Sequence, residues 1–252
     1  MKIVSWNVNG LRAIYKKGFV SWIDKNDPDI VCLQETKVKR EQLSLDFFST
    51  LKYNLYFNSA DKKGYSGVCV YTKKKPSRIE TKIGHKQFDQ EGRFLLLDFE
   101  DILLVNLYLP HGGRNKEKLD YKMEVYSKLL ALLRKNKERK TVLIGDFNIA
   151  HKDIDLARPR ENQNNIMFTP EEREQINSII NVGFMDAFRF FHKEGGNYTW
   201  LSYRKSAREK GLGWRIDYAF VSEKLRNKLE DAFIFPETLS SDHCPIGVVI
   251  RL

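Results

Sequence analysis

The chain of 252 residues is long enough for one large domain with a well-filled core, and 42% of its residues are hydrophobic. Its 43 lysines and arginines outnumber its 33 acidic residues and give a formal net charge of +10. Such a charge is typical either of a basic solvent-exposed surface or of a polyanionic partner such as nucleic acid. No apolar run approaches the roughly 20 residues that span a bilayer, which excludes a helical membrane protein.

The three cysteines, Cys32, Cys69 and Cys244, lie in apolar strand-like segments and lack the spacing of a metal site. An odd number of such thiols favours reduced cysteines and therefore a cytoplasmic protein. No linker rich in Pro, Gly or Ser and no internal repeat divides the sequence. We therefore expect a single domain over residues 1–252 that is soluble, cytoplasmic and not associated with a membrane.

Strand-like runs alternate with amphipathic runs from the N-terminus onwards. Residues 2–6 predict a strand. Apolar residues over 11–23 then recur at near-helical spacing and predict one helix, which Asp27-Pro28 ends. A second strand follows and ends at Glu35.

Farther along the chain, residues 93–99 and 102–109 predict a hairpin, and a long amphipathic helix follows over residues 119–133. Thr169 to Glu172 form a capping box with a proline in the first turn, which opens another helix. Strands that pair with each other and also alternate with helices predict mixed sheets covered by helices. The fold class is therefore α/β or α+β.

Polar motifs lie at the ends of four of the apolar, strand-like runs. They contain Asn7 with Asn9, Glu35, Asp146 with Asn148, and Asp242 with His243. Because strands separated by helices align their ends in space, we expect these side chains to converge at one rim. Carboxylates, amides and one histidine, without a serine or cysteine beside an obvious base, suit a hard cation and an activated water. The pattern predicts metal-assisted hydrolysis.

Two carboxylates are the main candidates for this chemistry. Glu35 is a candidate metal ligand with Asn7 and Asn9 nearby, and pairing with a lysine or a helix N-terminus is its structural alternative. Asp146 and Asn148 point the same way in an extended chain, so Asp146 could take a proton from a water that Asn148 orients. A structural turn is the alternative there.

A third candidate group involves His243. Asp217 could hold its imidazole, which would then face a phosphate oxygen, although a capping or core-polar role competes for Asp242-His243. Tyr108 ends a strand and could place its phenol on the same phosphate, or it could be a core tyrosine.

Aromatic and basic residues alternate near the C-terminus. Trp200 and Trp214 are interleaved with Arg204, Arg208 and Arg215. Core packing explains some of the aromatic residues. The alternation also suits a clamp on a nucleic-acid backbone beside a pocket for a sugar or a base.

The same motifs belong to a set of segments at residues 5–13, 33–37, 63–67, 89–93, 145–148, 154–156, 213–218 and 241–245. In this order they closely resemble the exonuclease III family of abasic-site endonucleases, within the endonuclease/exonuclease/phosphatase superfamily. The resemblance covers essentially the whole chain. The segment 213–218, Gly-Trp-Arg-Ile-Asp-Tyr, separates this family from relatives that act on lipids and inositol phosphates.

The resemblance implies a four-layer sandwich of two packed mixed β-sheets flanked by helices, the deoxyribonuclease I-like fold. It implies hydrolysis of the phosphodiester 5′ to an abasic site in double-stranded DNA, which leaves a 3′-OH. It also implies side activities as a 3′-5′ exonuclease and a 3′-phosphodiesterase. The implied cofactor is Mg²⁺, for which Mn²⁺ can substitute. We expect a monomer without a nucleotide cofactor.

The resemblance also assigns roles residue by residue. The implied metal ligands, with Glu35 as the principal one, are Asn7, Glu35, Asp146, Asn148, Asp242 and His243. The implied catalytic groups are Tyr108, Asp146, Asn148, Asp217 and His243. The implied DNA contacts are Asn9, Arg114, Asn162, Asn165, Trp200, Arg204, Trp214 and Ile216. Trp200, Trp214 and Ile216 match the pocket that in this family receives the extruded baseless sugar.

The sequence departs from the family pattern at several positions. Asn9 stands where some members have Asp, which leaves the strength of metal binding open. His111 stands where the family usually has Asn, Arg158 also replaces an Asn, and Leu201 replaces a second aromatic residue. These departures leave the DNA contacts at those positions open.

Three alternative functions remain at this point. They are a general or uracil-directed nuclease of the same fold, a phosphatase for small phosphates, and a nucleic-acid binder without catalysis. The aromatic and basic residues near the C-terminus count against the phosphatase. A binder would be expected to lack the polar residues of the rim, which are all present.

Overall fold

Two six-stranded mixed sheets form the centre of the computed structural model, which describes residues 1–43, 52–201, 210–238 and 240–252. Across the first sheet, with strands numbered in chain order, lie β13 (Leu229–Ile234), β14 (Ile246–Ile250), β1 (Lys2–Asn7), β2 (Ile30–Gln34), β4 (Val68–Thr72) and β3 (Asn54–Asn58). Across the second lie β5 (Arg78–Glu80), β6 (Phe94–Asp98), β7 (Leu103–Tyr108), β8 (Thr141–Asp146), β12 (Asp217–Ser222) and β9 (Phe184–Asp186). A small antiparallel ribbon consists of β10 (Trp200–Leu201) and β11 (Gly213–Trp214).

The two sheets pack face to face, and helices cover their outer faces. The helices are α1 (Leu11–Lys16), α2 (Phe19–Asn26), α3 (Lys86–Gln90), α4 (Leu119–Lys135), α5 (Pro159–Asn162), α6 (Pro170–Asn181) and α7 (Ala187–Phe191). Ile3 and Val70 of the first sheet share a buried cluster with Leu104 and Ile144 of the second. The predicted four-layer sandwich is therefore confirmed.

Each outer face is covered by a different pair of helices. Helices α1 and α2 bury Leu11, Phe19 and Ile23 in one cluster with Trp6 of β1. Helices α4 and α6 bury residues including Leu129 in another cluster with Phe220 of β12 and other residues of the second sheet. Central strands such as β8 and β12 are consequently buried along their whole length, which explains their continuous apolar sequence. None of the helices in the described residues is long and apolar enough to span a membrane.

The pairing directions bring the ends of several strands to one rim. Strand β1 is parallel to β2 and β7 is parallel to β8, whereas the other neighbouring strands are antiparallel. The C-terminal ends of β1, β2, β7 and β8 and the N-terminal end of β12 thus lie at the same edge of the sandwich.

The local sequence signals agree with most of these elements. The predicted hairpin corresponds to β6 and β7, and the predicted long helix corresponds to α4. The capping box at the start of α6 is present, since Thr169 Oγ1 accepts the N–H of Glu172 at 3.2 Å and Glu172 Oε2 accepts the N–H of Thr169 at 3.0 Å.

The single helix predicted over residues 11–23 is wrong, because the chain forms two helices there. Gly18 has φ of +90°, in the left-handed region, and it separates α1 from α2. Glycine adopts this conformation at little cost, so the chain can bend here while both helices keep their apolar residues against β1. The predicted end of the helical region at Asp27-Pro28 is confirmed, because α2 ends there.

Candidate active site

Asn7 connects the two sheets at the rim. It ends β1, is completely buried, and its Nδ2 donates to Glu35 Oε1 at 3.0 Å and to Asp146 Oδ2 at 2.9 Å. Glu35 follows β2 in the first sheet, whereas Asp146 ends β8 in the second. One amide group therefore holds a carboxylate from each sheet, and the predicted convergence of these residues is confirmed.

Several of the site residues have a left-handed backbone. The φ angles of Asn9, Glu35 and Asn148 are +47°, +51° and +52°. Asparagine tolerates this region, but for glutamate it costs on the order of 1 kcal/mol, and such conformations persist only where the surroundings fix them. The turn at Asn148 is fixed by its N–H, which donates to Asp146 Oδ1 at 2.9 Å, and by its Nδ2, which donates to Leu109 O at 2.9 Å.

His243 and Asp217 form a buried pair. His243 Nδ1 lies 2.9 Å from Asp217 Oδ2, and its Nε2 lies 4.0 Å from Asp146 Oδ2. Burial alone would lower the pKa of His243, but the charges of Asp217, Asp146 and Asp242 outweigh it and raise this pKa to about 10. The imidazole is thus protonated at neutral pH and presents Nε2–H towards Asp146.

The pKa of Asp146 is raised as well, but for a carboxyl group this favours the neutral form. Burial, with the nearby charge of Asp217, raises the pKa of the Asp146 carboxyl to about 7, against the lowering effects of His243 and of the hydrogen bond from Asn7. A carboxyl group with a pKa close to neutrality is suited to accept a proton from water and release it again. The extended chain expected for Asp146 and Asn148 is not formed: the backbone at Asn148 is left-handed and its N–H donates to Asp146 Oδ1, so the two residues form the turn that was the structural alternative.

Glu35 is paired with a lysine, as its structural alternative predicted. Lys37 Nζ lies 2.8 Å from Glu35 Oε2 and also donates to Asn9 Oδ1. Burial would raise the pKa of Glu35, but the charge of Lys37 and the hydrogen bonds from Lys37 and Asn7 lower it. The ammonium group thus lies where a cation shared by Glu35 and Asn9 would lie. The spacing of two residues between Glu35 and Lys37 is a signal that could have revealed the pair.

Asp242 joins this part of the site to an aromatic side chain. Its Oδ1 accepts Asn9 Nδ2 at 3.1 Å, and its Oδ2 accepts the indole N–H of Trp200 at 3.1 Å. Burial would raise the pKa of Asp242, but His243 and these hydrogen bonds lower it. Asp242 is therefore an ionised carboxylate between the metal-binding candidates and Trp200.

Tyr108 is held by an arginine that the sequence analysis did not single out for a role. The Arg93 guanidinium lies 4.2 Å from the centre of the Tyr108 ring, and its Nη1 donates to the Tyr108 carbonyl. Burial and the charge of Glu35 raise the pKa of Tyr108 well above its ordinary value. The phenol is therefore a neutral hydrogen-bond donor beside Glu35.

The donor set fits a hard divalent cation. Asp146, Asp217 and His243 have potential ligand atoms within 4.8 Å of one another, but Asp217 and the protonated imidazole already bind each other. The oxygen atoms around Asn7, Glu35 and Asp146 are better suited, because Mg²⁺ prefers oxygen and needs only one or two carboxylates. The ion pair between the Lys37 ammonium group and Glu35 agrees with this, because it shows that a positive charge is favourable beside these carboxylates.

The predicted pocket residues come together beside Asp242. Ile216 is buried with Ala150, Leu156, Met167 and Phe168, and Trp200 and Trp214 pack against this cluster. Trp214 contacts Phe168 edge to face, with ring centres 6.3 Å apart. The tryptophans and Ile216 therefore form one apolar surface next to the carboxylates.

Of the remaining predicted DNA contacts, Arg114 and Asn165 lie on loops and Asn162 ends α5. Asn165 Nδ2 donates to Asn162 Oδ1 at 3.1 Å, so these two asparagines form a pair, and Arg114 is exposed. Arg158 is also exposed, and its Nη1 lies 3.4 Å from Glu161 Oε2. Arg204 lies outside the described residues.

The expectation that Arg215 helps to clamp a nucleic-acid backbone is wrong. Arg215 is completely buried, with Nε 2.8 Å from Asp155 Oδ1 and Nη2 2.7 Å from Asp186 Oδ2. Successive side chains of an extended chain point in opposite directions, so Trp214 and Ile216 reach the apolar pocket while Arg215 points away from it.

Comparison with known proteins identifies the family of this chain. A model of the endonuclease/exonuclease/phosphatase family matches residues 4–243. The chain belongs to this family. It is 42% identical over 255 residues to an exodeoxyribonuclease of Bacillus subtilis (strain 168), covering all of both chains. It is also 42% identical over 256 residues to the DNA repair nuclease APEX1 of Danio rerio, covering all of this chain and 83% of that protein.

A solved structure also matches this chain throughout. The structure of an AP endonuclease from Archaeoglobus fulgidus covers all of both chains, with a TM-score of 0.91 and 29% sequence identity. The predicted exonuclease III resemblance and the deoxyribonuclease I-like fold are confirmed. The membership supports the predicted class of enzyme, a phosphodiester hydrolase.

Proposed function

We propose that this protein is a DNA-repair endonuclease that hydrolyses the phosphodiester 5′ to an abasic site in duplex DNA and leaves a 3′-OH. One observation carries the proposal. A buried Asp217–His243 pair and the Asp146 carboxyl lie beside an apolar surface formed by Trp200, Trp214 and Ile216. Groups that handle a proton and a phosphate next to an apolar surface suit a nucleotide that has lost its base. The names of the relatives, an exodeoxyribonuclease and a DNA repair nuclease, support the same activity.

The proposed cofactor is Mg²⁺, with Mn²⁺ as a substitute. Glu35 is the proposed principal ligand, and the other candidates are Asn7, Asp146, Asn148, Asp242 and, less favoured because it is protonated, His243. When bound, such a cation supplies charge to the phosphate oxygens in the transition state. We expect Lys37 to leave Glu35 when the cation binds, because both charges need the same carboxylate oxygen.

Each side chain of the site then has its own proposed role in the reaction. Asp146 takes the proton of the attacking water, and Asn148 orients that water. His243 donates a hydrogen bond from Nε2 to an oxygen of the scissile phosphate, while Asp217 keeps the imidazole protonated and oriented. Tyr108 donates its phenol hydrogen to the same phosphate. Hydrogen bonds from Asn7 to Asp146 and between His243 and Asp217 hold two of these groups in place, which lowers the entropic cost of reaching the transition state.

The proposed DNA contacts surround this centre. Trp200, Trp214 and Ile216 receive the extruded sugar, and extrusion is cheap where base pairing and stacking are already lost. Asn9, Arg114, Asn162, Asn165 and Arg204 contact the neighbouring backbone. The net charge of +10 predicts that affinity for DNA falls steeply with salt.

Activity as a 3′-5′ exonuclease is a second candidate function. It uses the same hydrolytic centre on a terminal nucleotide, and the full-length similarity to an exodeoxyribonuclease favours it. A uracil-directed or general nuclease remains the alternative. The difference lies in the substrate rather than in the chemistry.

A cleavage assay separates these functions. The protein is incubated with three labelled duplexes that differ at one position, which carries an abasic-site analogue, uracil or an ordinary nucleotide, with Mg²⁺ or with EDTA. We expect one metal-dependent cut immediately 5′ to the analogue and a 3′-OH that a polymerase extends. Equal cutting of all three duplexes would refute the abasic-site proposal, and preferential cutting at uracil would replace it. Asp146→Asn, expected to bind the duplex without cutting it, is the control for a contaminating nuclease.

A further inference from the structure

Thr199 occupies a position between the pocket and the buried catalytic pair. It immediately precedes β10 and is completely buried. Its Oγ1 accepts the backbone N–H of Ile216 at 3.0 Å and that of Asp217 at 3.1 Å. Two successive backbone N–H groups thus converge on a single hydroxyl oxygen.

This hydroxyl compensates for a missing strand neighbour. Strand β12 pairs with β8 from Asp217 to Val221, but β9 reaches its other side only from Phe220 to Ser222. At the start of β12, on that side, Thr199 is the acceptor for the buried N–H groups of Ile216 and Asp217. Buried N–H groups need an acceptor, so the position of Thr199 determines where the first residues of β12 lie.

The backbone of the same segment holds His243. The Thr199 carbonyl accepts the N–H of Cys244 at 2.6 Å, and the Leu201 N–H donates to the Asp242 carbonyl at 2.9 Å. Between these bonds, Trp200 and His243 form an antiparallel bridge. Residues 199–201 therefore act as a strand partner for residues 242–244.

Thr199 consequently contacts both of the segments that carry the catalytic pair. Its side chain binds the backbone of Asp217, and its carbonyl binds the residue after His243. The Thr199 N–H also donates to the Trp214 carbonyl at 3.0 Å, and the next residue, Trp200, is part of the pocket. The pocket and the pair thus share one buried residue.

We propose that Thr199 is a positioning residue that sets the distance between Asp217 and His243 and connects this pair to the sugar pocket. The inference rests on the proposed function for its activity readout. The contact between Asp217 and His243 is 2.9 Å, so a displacement of about 1 Å would break the hydrogen bond and is expected to cost about 100-fold in rate. Thr199 itself touches neither substrate nor water in this role.

The test compares three substitutions at two buried threonines. Thr199→Val keeps the shape but removes the acceptor, and Thr199→Ser keeps the acceptor. Thr72→Val is the matched control, since Thr72 is equally buried and its Oγ1 accepts the N–H of Lys74 at 3.2 Å, at the opposite end of the sandwich. For each variant, kcat and KM are measured on the duplex with the abasic-site analogue, and Kd for that duplex is measured in EDTA.

We expect Thr199→Val to lose about 10- to 100-fold in kcat with a change in Kd below about 3-fold, because the catalytic pair is displaced while the apolar pocket remains. We expect Thr199→Ser and Thr72→Val to keep kcat within about 3-fold. A loss in Thr199→Val no larger than that in Thr72→Val would overturn the proposal, as would a loss confined to Kd. If Thr199→Val does not fold, Thr199→Cys, which has a weaker acceptor of similar size, takes its place with the same expectations.

A measurement without substrate separates this inference from the proposed function. In metal-free protein with ¹⁵N-labelled histidine, the proton between His243 Nδ1 and Asp217 should give a downfield NMR signal, assigned by its absence in His243→Gln. We expect the signal to remain in Thr199→Ser and Thr72→Val and to shift or broaden in Thr199→Val. An unchanged signal in Thr199→Val would overturn the inference. Loss of abasic-site cleavage in the unsubstituted protein would overturn only the proposed function.

Discussion

The two sides of the candidate active site are built differently. On one side, the side chains of His243, Asp217 and Asp146 are at most 6% exposed and lie at or beside strand ends. On the other side, Glu35 and Lys37 have side chains that are 18% and 33% exposed, and both residues have a left-handed backbone. The buried side is fixed by hydrogen bonds within the sandwich, whereas the exposed side is held together by an ion pair.

This difference shows how one rim can hold both groups that transfer a proton and groups that bind a metal. A buried carboxyl and imidazole acquire strongly perturbed pKa values, as Asp146 and His243 do, and these values depend on fixed neighbours. A metal ligand instead has to exchange its partner, which is easier where water can reach Glu35. Four predictions test this comparison, from the largest expected effect to the smallest.

Asp146→Asn should produce the largest loss of activity. Removal of the proposed base is expected to lower kcat by about 100- to 10,000-fold with little change in the affinity for the abasic-site duplex. Single-turnover kinetics and anisotropy binding measure the two quantities. If affinity falls and the single-turnover rate does not, Asp146 is not the base.

The stability of the same variant relative to wild type should increase as the pH rises. The folded-state pKa of Asp146 is raised from 3.8 to about 7, so wild-type stability falls between these values and the penalty is complete above the upper one. Relative to wild type, Asp146→Asn should therefore gain about 2–3 kcal/mol in free energy of unfolding between about pH 5 and pH 7.5. Urea unfolding in EDTA at both pH values checks this, and a constant difference between the proteins would contradict it.

Glu35→Gln should act on the metal requirement. The loss of one negative charge from the exposed side is expected to raise the Mg²⁺ concentration for half-maximal cleavage by about 10- to 100-fold, with partial recovery of kcat at saturating metal. Metal titrations of the cleavage rate measure it. Glu41→Gln is the control, because Glu41 is an exposed acid in a neighbouring 3₁₀ turn at Arg40–Gln42. Identical titrations for Glu35→Gln and wild type would exclude Glu35 as a ligand.

Trp200→Phe should have the smallest effect. It removes the indole N–H that binds Asp242 but keeps an aromatic ring in the pocket. Because Asp242 is partly exposed and still accepts Asn9, water can replace the lost donor, and we expect a change of about 2- to 5-fold in the metal requirement. Trp214→Phe changes the same pocket without touching that bond. Equal metal titrations for the two variants would show that Asp242 does not connect Trp200 to the metal site.

Much of the buried side could be predicted from the sequence. Asp146, Asn148, Asp217 and His243 lie beside apolar runs whose strand character is evident, and the ends of such strands meet at a rim. The exposed side was harder to predict. Glu35 was identified, but Lys37 was not, although its spacing of two residues from Glu35 was a signal of the pair.

The sequence by itself determined the order of the elements, the polar residues at the strand ends and the family. These features are local, since the alternation of apolar residues, the capping box at Thr169 and the turn at Gly145–Asn148 are encoded within a few positions. Only the tertiary structure decided that Asn7 binds a carboxylate 139 residues away, that Arg215 is buried and that Thr199 holds Asp217. Those contacts depend on how two sheets pack and on which strands lack a neighbour. The spacing of residue types along the chain indicates neither the packing of the sheets nor the strands that lack a neighbour.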